Sequence, residues 1–212
     1  MFSADTRRQA AAFDRIGERY DDAFPHKSGQ IIATQWMIDR LTVGARVLDV
    51  GCGTGLPSAG MLAESGMEVV GVDVSTEMLR LARRNVPSAR FVAMDALELD
   101  HSLGEFDAVV AFFSLIMLRR SEIPLAVRRM LAVLRPGGVV AIGMVEGDLD
   151  YVPIRFLGQE LAVTAYPRTE LEAAVRAEGL EVREVDVEEF EPASADLPAE
   201  RQVFLYCRVP GG

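Results

Sequence analysis

The amino-acid sequence predicts an α/β fold, in which buried strands alternate with helices along a single domain. Short apolar runs rich in Val, Leu and Ile recur along the chain, and amphipathic or capped helical segments separate them. A glycine-rich turn at 51–55 directly follows the first of these runs, 46–50. The 212 residues, half of them hydrophobic and a quarter charged, suffice for one domain with a sizeable core.

The order of the elements is typical of a parallel sheet that helices cover on both faces. Strands are predicted at 46–50, 69–72, 89–93, 106–112, 139–145, 180–190 and 202–209. Helices are predicted at 6–24, 30–41, 56–65, 78–85, 123–134 and 170–178. Ser75 and Thr169 are the expected N-caps of two of these helices, because a hydroxyl can bind the free amides of a first turn. The Pro-Gly-Gly turn at 136–138 ends a helix and starts a strand.

The turn at 51–55 has the glycine content of a ligand-binding loop. Glycine lacks a Cβ, so the backbone can turn tightly there and a ligand can approach it closely. A strand, a glycine turn and a helix N-terminus together form a site for a nucleotide or a similar cofactor. The dinucleotide-binding pattern G-x-G-x-x-G has its third glycine where this chain has Leu56. A Walker-type phosphate-binding loop requires a lysine, and this loop contains none. Asp49 precedes the turn, and Asp73 ends the next strand, where a carboxylate can bind both ribose hydroxyls.

At these residues the sequence resembles the class I S-adenosylmethionine-dependent methyltransferases. Residues 47–55 resemble the first motif of that family, 71–75 the acidic end of its second strand, and 134–138 its turn before the fifth strand. The resemblance implies a three-layer Rossmann-like sandwich with a seven-stranded, mostly parallel sheet and an antiparallel last strand. It also implies S-adenosyl-L-methionine as the cofactor, and we expect no metal site.

The resemblance further implies which residues bind the cofactor. Asp73 would bind the ribose, Asp95 the adenine amino group, and the amide of Ala96 the adenine ring. Tyr20 would lie over the cofactor near the methyl group or the methionine carboxylate, although it could equally be a half-buried packing residue. Asp95 could likewise be only a turn residue. The complete predicted set is Tyr20, Asp49, Gly51, Cys52, Gly53, Gly55, Asp73, Val74, Met78, Asp95, Ala96 and Phe113.

The implied reaction is methyl transfer to an oxygen or nitrogen atom of a small-molecule acceptor by in-line displacement. An acceptor that must lose a proton early would need a general base, and the candidates are His26, Glu146 and Tyr151. One alternative is a relative of this fold that binds the cofactor but has a regulatory role or catalyses another reaction. Another is a nicotinamide-dependent dehydrogenase, which Leu56 disfavours.

The chain divides by pattern into four regions of one domain, 1–212. These are the N-terminal lid helices (1–44), a cofactor-binding core (45–145), a substrate-facing insert (146–167), and a C-terminal helix with a strand pair (168–212). Residues 151–165 of the insert are apolar and aromatic, and we predict a short helix there, either facing substrate or in the core. We expect the N-terminal helix and residues 151–166 to wall the acceptor site.

Composition narrows the class of partner. The net charge of −10 opposes binding to nucleic acid, and no apolar run reaches the length that spans a membrane. The two cysteines give no disulfide framework, which fits a cytoplasmic protein. We therefore expect a cytoplasmic monomer or homodimer with a small-molecule acceptor, no nucleic-acid partner and no membrane partner.

Overall fold

The computed structural model describes residues 2–191, 193 and 199–210. Its α-helices are α1 (Ala4–Ile16), α2 (Arg19–Ala23), α3 (Ser28–Ile38), α4 (Ser58–Glu64), α5 (Thr76–Asn85), α6 (Ile123–Ala132) and α7 (Arg168–Ala177). Its strands are β1 (Arg46–Val50), β2 (Glu68–Asp73), β3 (Arg90–Ala93), β4 (Phe106–Phe112), β5 (Leu134–Val145), β6 (Leu149–Phe156), β7 (Gln159–Ala165), β8 (Glu181–Phe190) and β9 (Glu200–Arg208).

Seven of these strands form one sheet in the order β3-β2-β1-β4-β5-β9-β8. The pairs β1–β2, β1–β4, β2–β3 and β4–β5 are parallel, whereas β9 is antiparallel to both β5 and β8. The predicted fold class is therefore confirmed, including the antiparallel last strand. The carboxyl ends of β1, β2, β3 and β4 meet at one edge of the sheet, which is where ligands bind in sheets of this kind.

Helices cover both faces of the sheet, because neighbouring strand residues point to opposite sides. Val47 packs with α3, α4 and α5 on one face, whereas Leu48 packs with α6 and α7 on the other. Both side chains are fully buried. The molecule is thus a three-layer sandwich with two apolar cores, one on each face of the sheet.

The predicted helix within the insert is wrong, because β6 and β7 form an antiparallel hairpin there. In this segment apolar residues alternate with period two, with Val152, Ile154 and Phe156 on one strand, and β-branched residues favour strands. The two turn residues, Leu157 and Gly158, both have positive φ angles, as the tight turns of hairpins require. The insert therefore presents a two-stranded wall instead of a helix.

Two helix predictions need correction. The predicted helix over 6–24 is divided into α1 and α2 at Gly17, whose φ of 55° is incompatible with helix continuation. Thr169 does not cap α7, which begins at Arg168 after Pro167 and has no side-chain cap. Ser75 does cap α5 as expected, accepting a hydrogen bond from the amide of Met78.

The N-terminal helices are tied down over the carboxyl edge of the sheet. On α1, Asp14 accepts hydrogen bonds from Ser75 Oγ at 2.6 Å and from the amide of Glu77 at 3.0 Å, at the start of α5. On α2, Asp21 accepts a bond from Thr54 Oγ1 in the glycine turn at 3.1 Å. These contacts place α1 and α2 above the edge where a ligand would lie. The division of the chain into lid, core, insert and C-terminal regions remains a prediction.

Candidate functional site

Two neighbouring cavities open at the carboxyl edge of the sheet. The glycine-loop cavity lies among Gly51, Gly53, Asp73, Met78 and Asp95, beneath α1. The hairpin cavity lies between α1–α2 on one side and β6–β7 on the other, and the end of β5 and the start of β9 close it. The hairpin cavity holds about 470 Å³, which is within the size range of small-molecule sites.

Most residues predicted to bind the cofactor line the glycine-loop cavity. Those brought together there are Tyr20, Gly51, Gly53, Asp73, Val74, Met78, Asp95, Ala96 and Phe113. Asp49, Cys52 and Gly55 do not line it, and Asp49 and Cys52 are buried. Burial raises the pKa of the Cys52 thiol well above its usual range, so this thiol is uncharged and unsuited to nucleophilic chemistry.

The glycine turn wraps around the end of β2. The amides of Gly51 and Cys52 both donate to the carbonyl of Val72, at 2.8 and 3.0 Å. The carboxylate of Asp73 accepts bonds from the amide of Gly53 at 2.9 Å and from that of Ser75 at 2.8 Å. The two loops that follow β1 and β2 are therefore held together by one acidic side chain.

Two carboxyl groups beside this loop, the buried Asp49 and the half-buried Asp73, have raised pKa values. Burial, followed by the nearby charge of Asp73, raises the pKa of Asp49 to about 7. Burial also raises the pKa of Asp73, although the amides of Ser75, Gly53 and Val74 oppose that shift. This concentration of desolvated carboxyl groups favours a ligand that offers hydrogen-bond donors or positive charge.

A buried hydroxyl group in the same cavity has no partner among the described residues. Ser114 Oγ is buried without a hydrogen bond, and Ser114 lines the cavity just after β4. Opposite it, Gly51 has a φ of 71°, and a Cβ at Gly51 would lie 2.2 Å from Ser114 Cβ. Buried polar atoms are almost always hydrogen-bonded, so a free hydroxyl beside a bare backbone indicates a place for a ligand.

Helix α1 closes the far end of this cavity through a contact that the sequence did not indicate. Thr6 Oγ1 donates to Asp95 Oδ2 at 2.8 Å, while the amide of Leu97 donates to Asp95 Oδ1 at 3.0 Å. Thr6 and Asp95 are separated by 89 positions, and no local pattern connects them. No sequence pattern indicated that Ser3, which caps α1, and Asp5 and Gln9 of α1 also line this cavity.

The hairpin cavity has apolar walls and a polar end. Phe24 of α2 packs against Phe156 of the hairpin, with ring centroids 5.7 Å apart. Ile154 and Leu161 continue the apolar wall along the hairpin. The charged side chains in the lining are those of Lys27, Glu146, Glu200 and Arg201. Both segments expected to wall the acceptor site, the N-terminal helix and the insert, therefore contribute to this cavity.

Three aromatic side chains and one methionine form the boundary between the two cavities, which we call the aromatic boundary. Phe13, Tyr20, Phe113 and Met117 line both of them. Phe113 has a positive φ of 55°, a strained conformation for a residue with a side chain, and such strain is concentrated at functional sites. Burial raises the pKa of Tyr20, and the charges of Asp21, Asp73 and Glu200 add to this shift. Acidic groups from both cavities therefore act on Tyr20.

The three candidate bases lie in different places. Glu146 lines the hairpin cavity, with Oε2 2.7 Å from Arg201 Nη1. Tyr151 lines the glycine-loop cavity, and the Arg119 guanidinium lies 4.0 Å from the centre of its ring. His26 is exposed and lines neither cavity. The geometry thus gives His26 no place in a site built from these cavities.

Metal-binding clusters and membrane-spanning helices are both absent from the described part of the chain, 2–191, 193 and 199–210. Within it, no group of three or more His, Cys, Asp or Glu side chains could hold a metal ion. No helix in the same residues has both the length and the apolar character needed to cross a membrane. The site therefore consists of the two cavities and their shared aromatic boundary.

A parallel sheet with a glycine turn after β1 and an acidic residue at the end of β2 defines an α/β protein with a nucleotide-type ligand site. A family model described as a methyltransferase domain matches residues 47–138. The demethylmenaquinone methyltransferase of Renibacterium salmoninarum is 34% identical over 164 residues, which cover 74% of this chain and 67% of that protein. The chain belongs to the class I S-adenosylmethionine-dependent methyltransferases.

Other relatives show how far this similarity extends. Methyltransferase GfsG of Streptomyces halstedii is 39% identical over 130 residues, 56% of this chain and 46% of GfsG. The chain spans about half the length of several curated relatives that it matches. The fold is also that of the Burkholderia thailandensis 1,6-didemethyltoxoflavin-N1-methyltransferase, solved with 1,6-didemethyltoxoflavin and S-adenosylhomocysteine. The TM-score is 0.69 at 24% identity, over 99% of this chain and 92% of that one.

Proposed function

We propose that this chain binds S-adenosylmethionine in the glycine-loop cavity and transfers its methyl group to a small molecule in the hairpin cavity. The observation that carries this proposal is the shared boundary of Phe13, Tyr20, Phe113 and Met117. A methyl donor and an acceptor must meet in line across a short distance, and two cavities with a common wall provide that arrangement.

The residues of the glycine-loop cavity fit this cofactor. Asp73 would accept the ribose hydroxyls, and Asp95 would accept the adenine amino group beside the amide of Ala96. Ser114 Oγ and the bare backbone at Gly51 would hold the amino-acid end, which satisfies a hydroxyl that lacks any other partner among the described residues. Met78, which is buried, would pack against the adenine.

The bound cofactor supplies an electrophilic methyl group on a sulfonium, so the chain needs to supply little chemistry of its own. Its aromatic boundary excludes water and orients the acceptor, which can contribute about 7–11 kcal/mol in favourable systems. An oxygen or nitrogen acceptor that must lose a proton could pass it to Glu146 in the hairpin cavity. Tyr151 is a poorer candidate, because burial raises the pKa of its phenol, which therefore keeps its proton, and because it lines the other cavity.

Two features support a small-molecule acceptor. The similar proteins from Renibacterium salmoninarum and Burkholderia thailandensis are named for methylating demethylmenaquinone and 1,6-didemethyltoxoflavin, both of them small organic molecules. The hairpin cavity has a matching volume of about 470 Å³. We also infer that nucleic acid is not the acceptor, because the net charge of −10 opposes binding to phosphate backbones.

Calorimetry with the purified chain tests the proposal directly. We expect S-adenosylmethionine and S-adenosylhomocysteine to bind at one site each and NAD not to bind. A panel of small phenols, amines and hydroxyquinones, incubated with methyl-labelled cofactor, should then yield S-adenosylhomocysteine together with a labelled product. Binding of NAD in preference to both cofactors would contradict the proposal. Cofactor binding without methyl transfer to any member of a broad panel would favour the alternative, a non-methylating or regulatory relative.

A further inference from the structure

The two cations that line the hairpin cavity, Lys27 and Arg201, already have acidic partners. Lys27 Nζ lies 2.6 Å from Asp21 Oδ1 and also donates to the carbonyl of Leu56 at 3.0 Å. Arg201 has two carboxylate partners, with Nη1 2.7 Å from Glu146 Oε2 and Nε 3.1 Å from Glu189 Oε1. Each cation that lines the cavity is therefore already paired with an acidic side chain.

Glu200 is the carboxylate in this lining without a cationic partner among the described residues. Its Oε1 accepts a hydrogen bond at 2.8 Å from Nε2 of Gln202, which is neutral. Burial raises the pKa of Glu200, and the bond from Gln202 opposes that shift. Both cations of the lining are engaged, Lys27 by Asp21 and Arg201 by Glu146 and Glu189, so an anion that enters the cavity meets the Glu200 carboxylate and finds no free positive partner among the described lining residues.

The remaining wall of the cavity is apolar and rich in rings. Tyr20 packs edge-on against Phe156, with centroids 6.4 Å apart, and lies 5.2 Å from the ring of Phe24. Phe190 continues this cluster, 5.9 Å from Phe24. Aromatic side chains arranged in this way favour an apolar ligand with a ring that can pack against their edges and faces.

We propose that the hairpin cavity accepts an apolar, ring-containing molecule without negative charge, and that Glu200 is the residue that rejects anions. This inference rests on the proposed function, since it names the class of acceptor for the same site. An anionic group entering the cavity would lose its hydration and meet the unpaired Glu200 carboxylate, which is costly. A neutral or cationic group of the same shape avoids that repulsion.

Three naphthalene probes of matched shape test this at about pH 8, with saturating S-adenosylhomocysteine. They are 2-(hydroxymethyl)naphthalene, which is neutral, 2-(aminomethyl)naphthalene, which is cationic, and 2-naphthoate, which is anionic. We expect 2-naphthoate to bind the full chain about tenfold or more weakly than the neutral probe, and the cation at least as tightly as the neutral probe. Comparable or tighter binding of 2-naphthoate, or no binding of any probe, would overturn the inference.

Variants then assign the selectivity to one residue. Glu200→Gln should improve binding of 2-naphthoate about fivefold or more and leave the neutral probe nearly unchanged. Glu191→Gln makes the same change of net charge at an exposed position outside both linings and should alter none of the three affinities. If both variants change the affinity for 2-naphthoate equally, or if neither changes it, Glu200 is not the residue that rejects anions. The binding of S-adenosylhomocysteine, measured separately for each variant, shows whether the proposed function itself fails.

Discussion

The glycine-loop cavity and the hairpin cavity share a wall, but they are built in different ways. The first is built around the bare turn at Gly51 and Gly53, which the carboxylate of Asp73 holds, and side chains of α1 and of the loops after β2, β3 and β4 complete its lining. The second is formed by side chains from helices, a hairpin and strand ends that are far apart in the sequence. The family model matches residues 47–138, which include the glycine loop but neither β6 nor β7.

This contrast indicates how the two parts of the site can vary. A cavity built around a glycine turn and a few carboxylates tolerates few substitutions at those positions, so we expect it to bind one class of ligand. A cavity of apolar side chains on a separate hairpin can change its lining without disturbing the sheet. We therefore expect variants on the two sides to separate cofactor binding from acceptor binding.

The largest pH-dependent effect is expected at Asp49, on the side of the glycine loop. Its pKa of about 7 in the folded chain exceeds the unfolded value of about 3.9, so the folded state retains a proton that the unfolded state releases. Stability should therefore fall as pH rises from about 4 to about 7. Asp49→Asn removes this loss and should stabilise the chain at about pH 8 by about 4 kcal/mol at most, with no gain near pH 4.

Urea denaturation of both forms across this pH range measures the difference. Glu64→Gln, at an exposed position, is the matched control and should follow the wild type. Parallel stability curves for wild type and Asp49→Asn would show that this carboxyl group is not held protonated by burial.

Asp73→Asn should weaken the binding of S-adenosylhomocysteine about 100-fold. The amide oxygen of asparagine cannot replace both carboxylate oxygens, which accept from Gly53 and Ser75, and the proposed ribose contact is lost as well. Bonds to a charged acceptor contribute about 1.5–3 kcal/mol each. Calorimetry gives the affinity, and Asp100→Asn is an exposed control for the charge change. Affinity within threefold of wild type would remove Asp73 from the cofactor site.

On the other side of the boundary, Leu161→Ala should weaken the binding of the neutral naphthalene probe about tenfold. The same variant should change the affinity for S-adenosylhomocysteine by less than about threefold. Leu161 is buried in the hairpin cavity wall, and its truncation should also cost about 2–5 kcal/mol of stability. Val152→Ala, on the same hairpin but exposed, serves as the control in both assays. Equal losses of probe and cofactor affinity would show that the two cavities do not act separately.

The smallest effect is expected at Thr6, where α1 meets the glycine-loop cavity. Thr6→Val removes the hydroxyl that donates to Asp95 and should weaken the binding of S-adenosylhomocysteine about three- to tenfold. Thr169→Val is a suitable control, because Thr169 caps no helix and is exposed. An unchanged affinity would mean that α1 covers the cavity without contributing to binding.

The two cavities also differ in how far the sequence predicted them. The turn at Gly51 and Gly53 could be read directly, because glycine spacing and the acidic strand end at Asp73 are local features. The insert forms a hairpin where its apolar content suggests a helix, because short apolar runs fit either structure and pairing with a partner strand decides between them. The contacts of Thr6 with Asp95 and of Glu146 with Arg201 join distant segments, and no local pattern encodes them. Features set by the local sequence were therefore predictable, whereas contacts between distant segments were not.

A crystal structure of the chain with S-adenosylhomocysteine would test the central claim most directly. We predict the ribose at Asp73, the adenine at Asp95 and the sulfur facing the boundary formed by Tyr20 and Phe113. The hairpin cavity should remain free of the cofactor beyond that boundary. Electron density for S-adenosylhomocysteine within the hairpin cavity, or away from Asp73 altogether, would contradict the proposed position of the cofactor in the glycine-loop cavity.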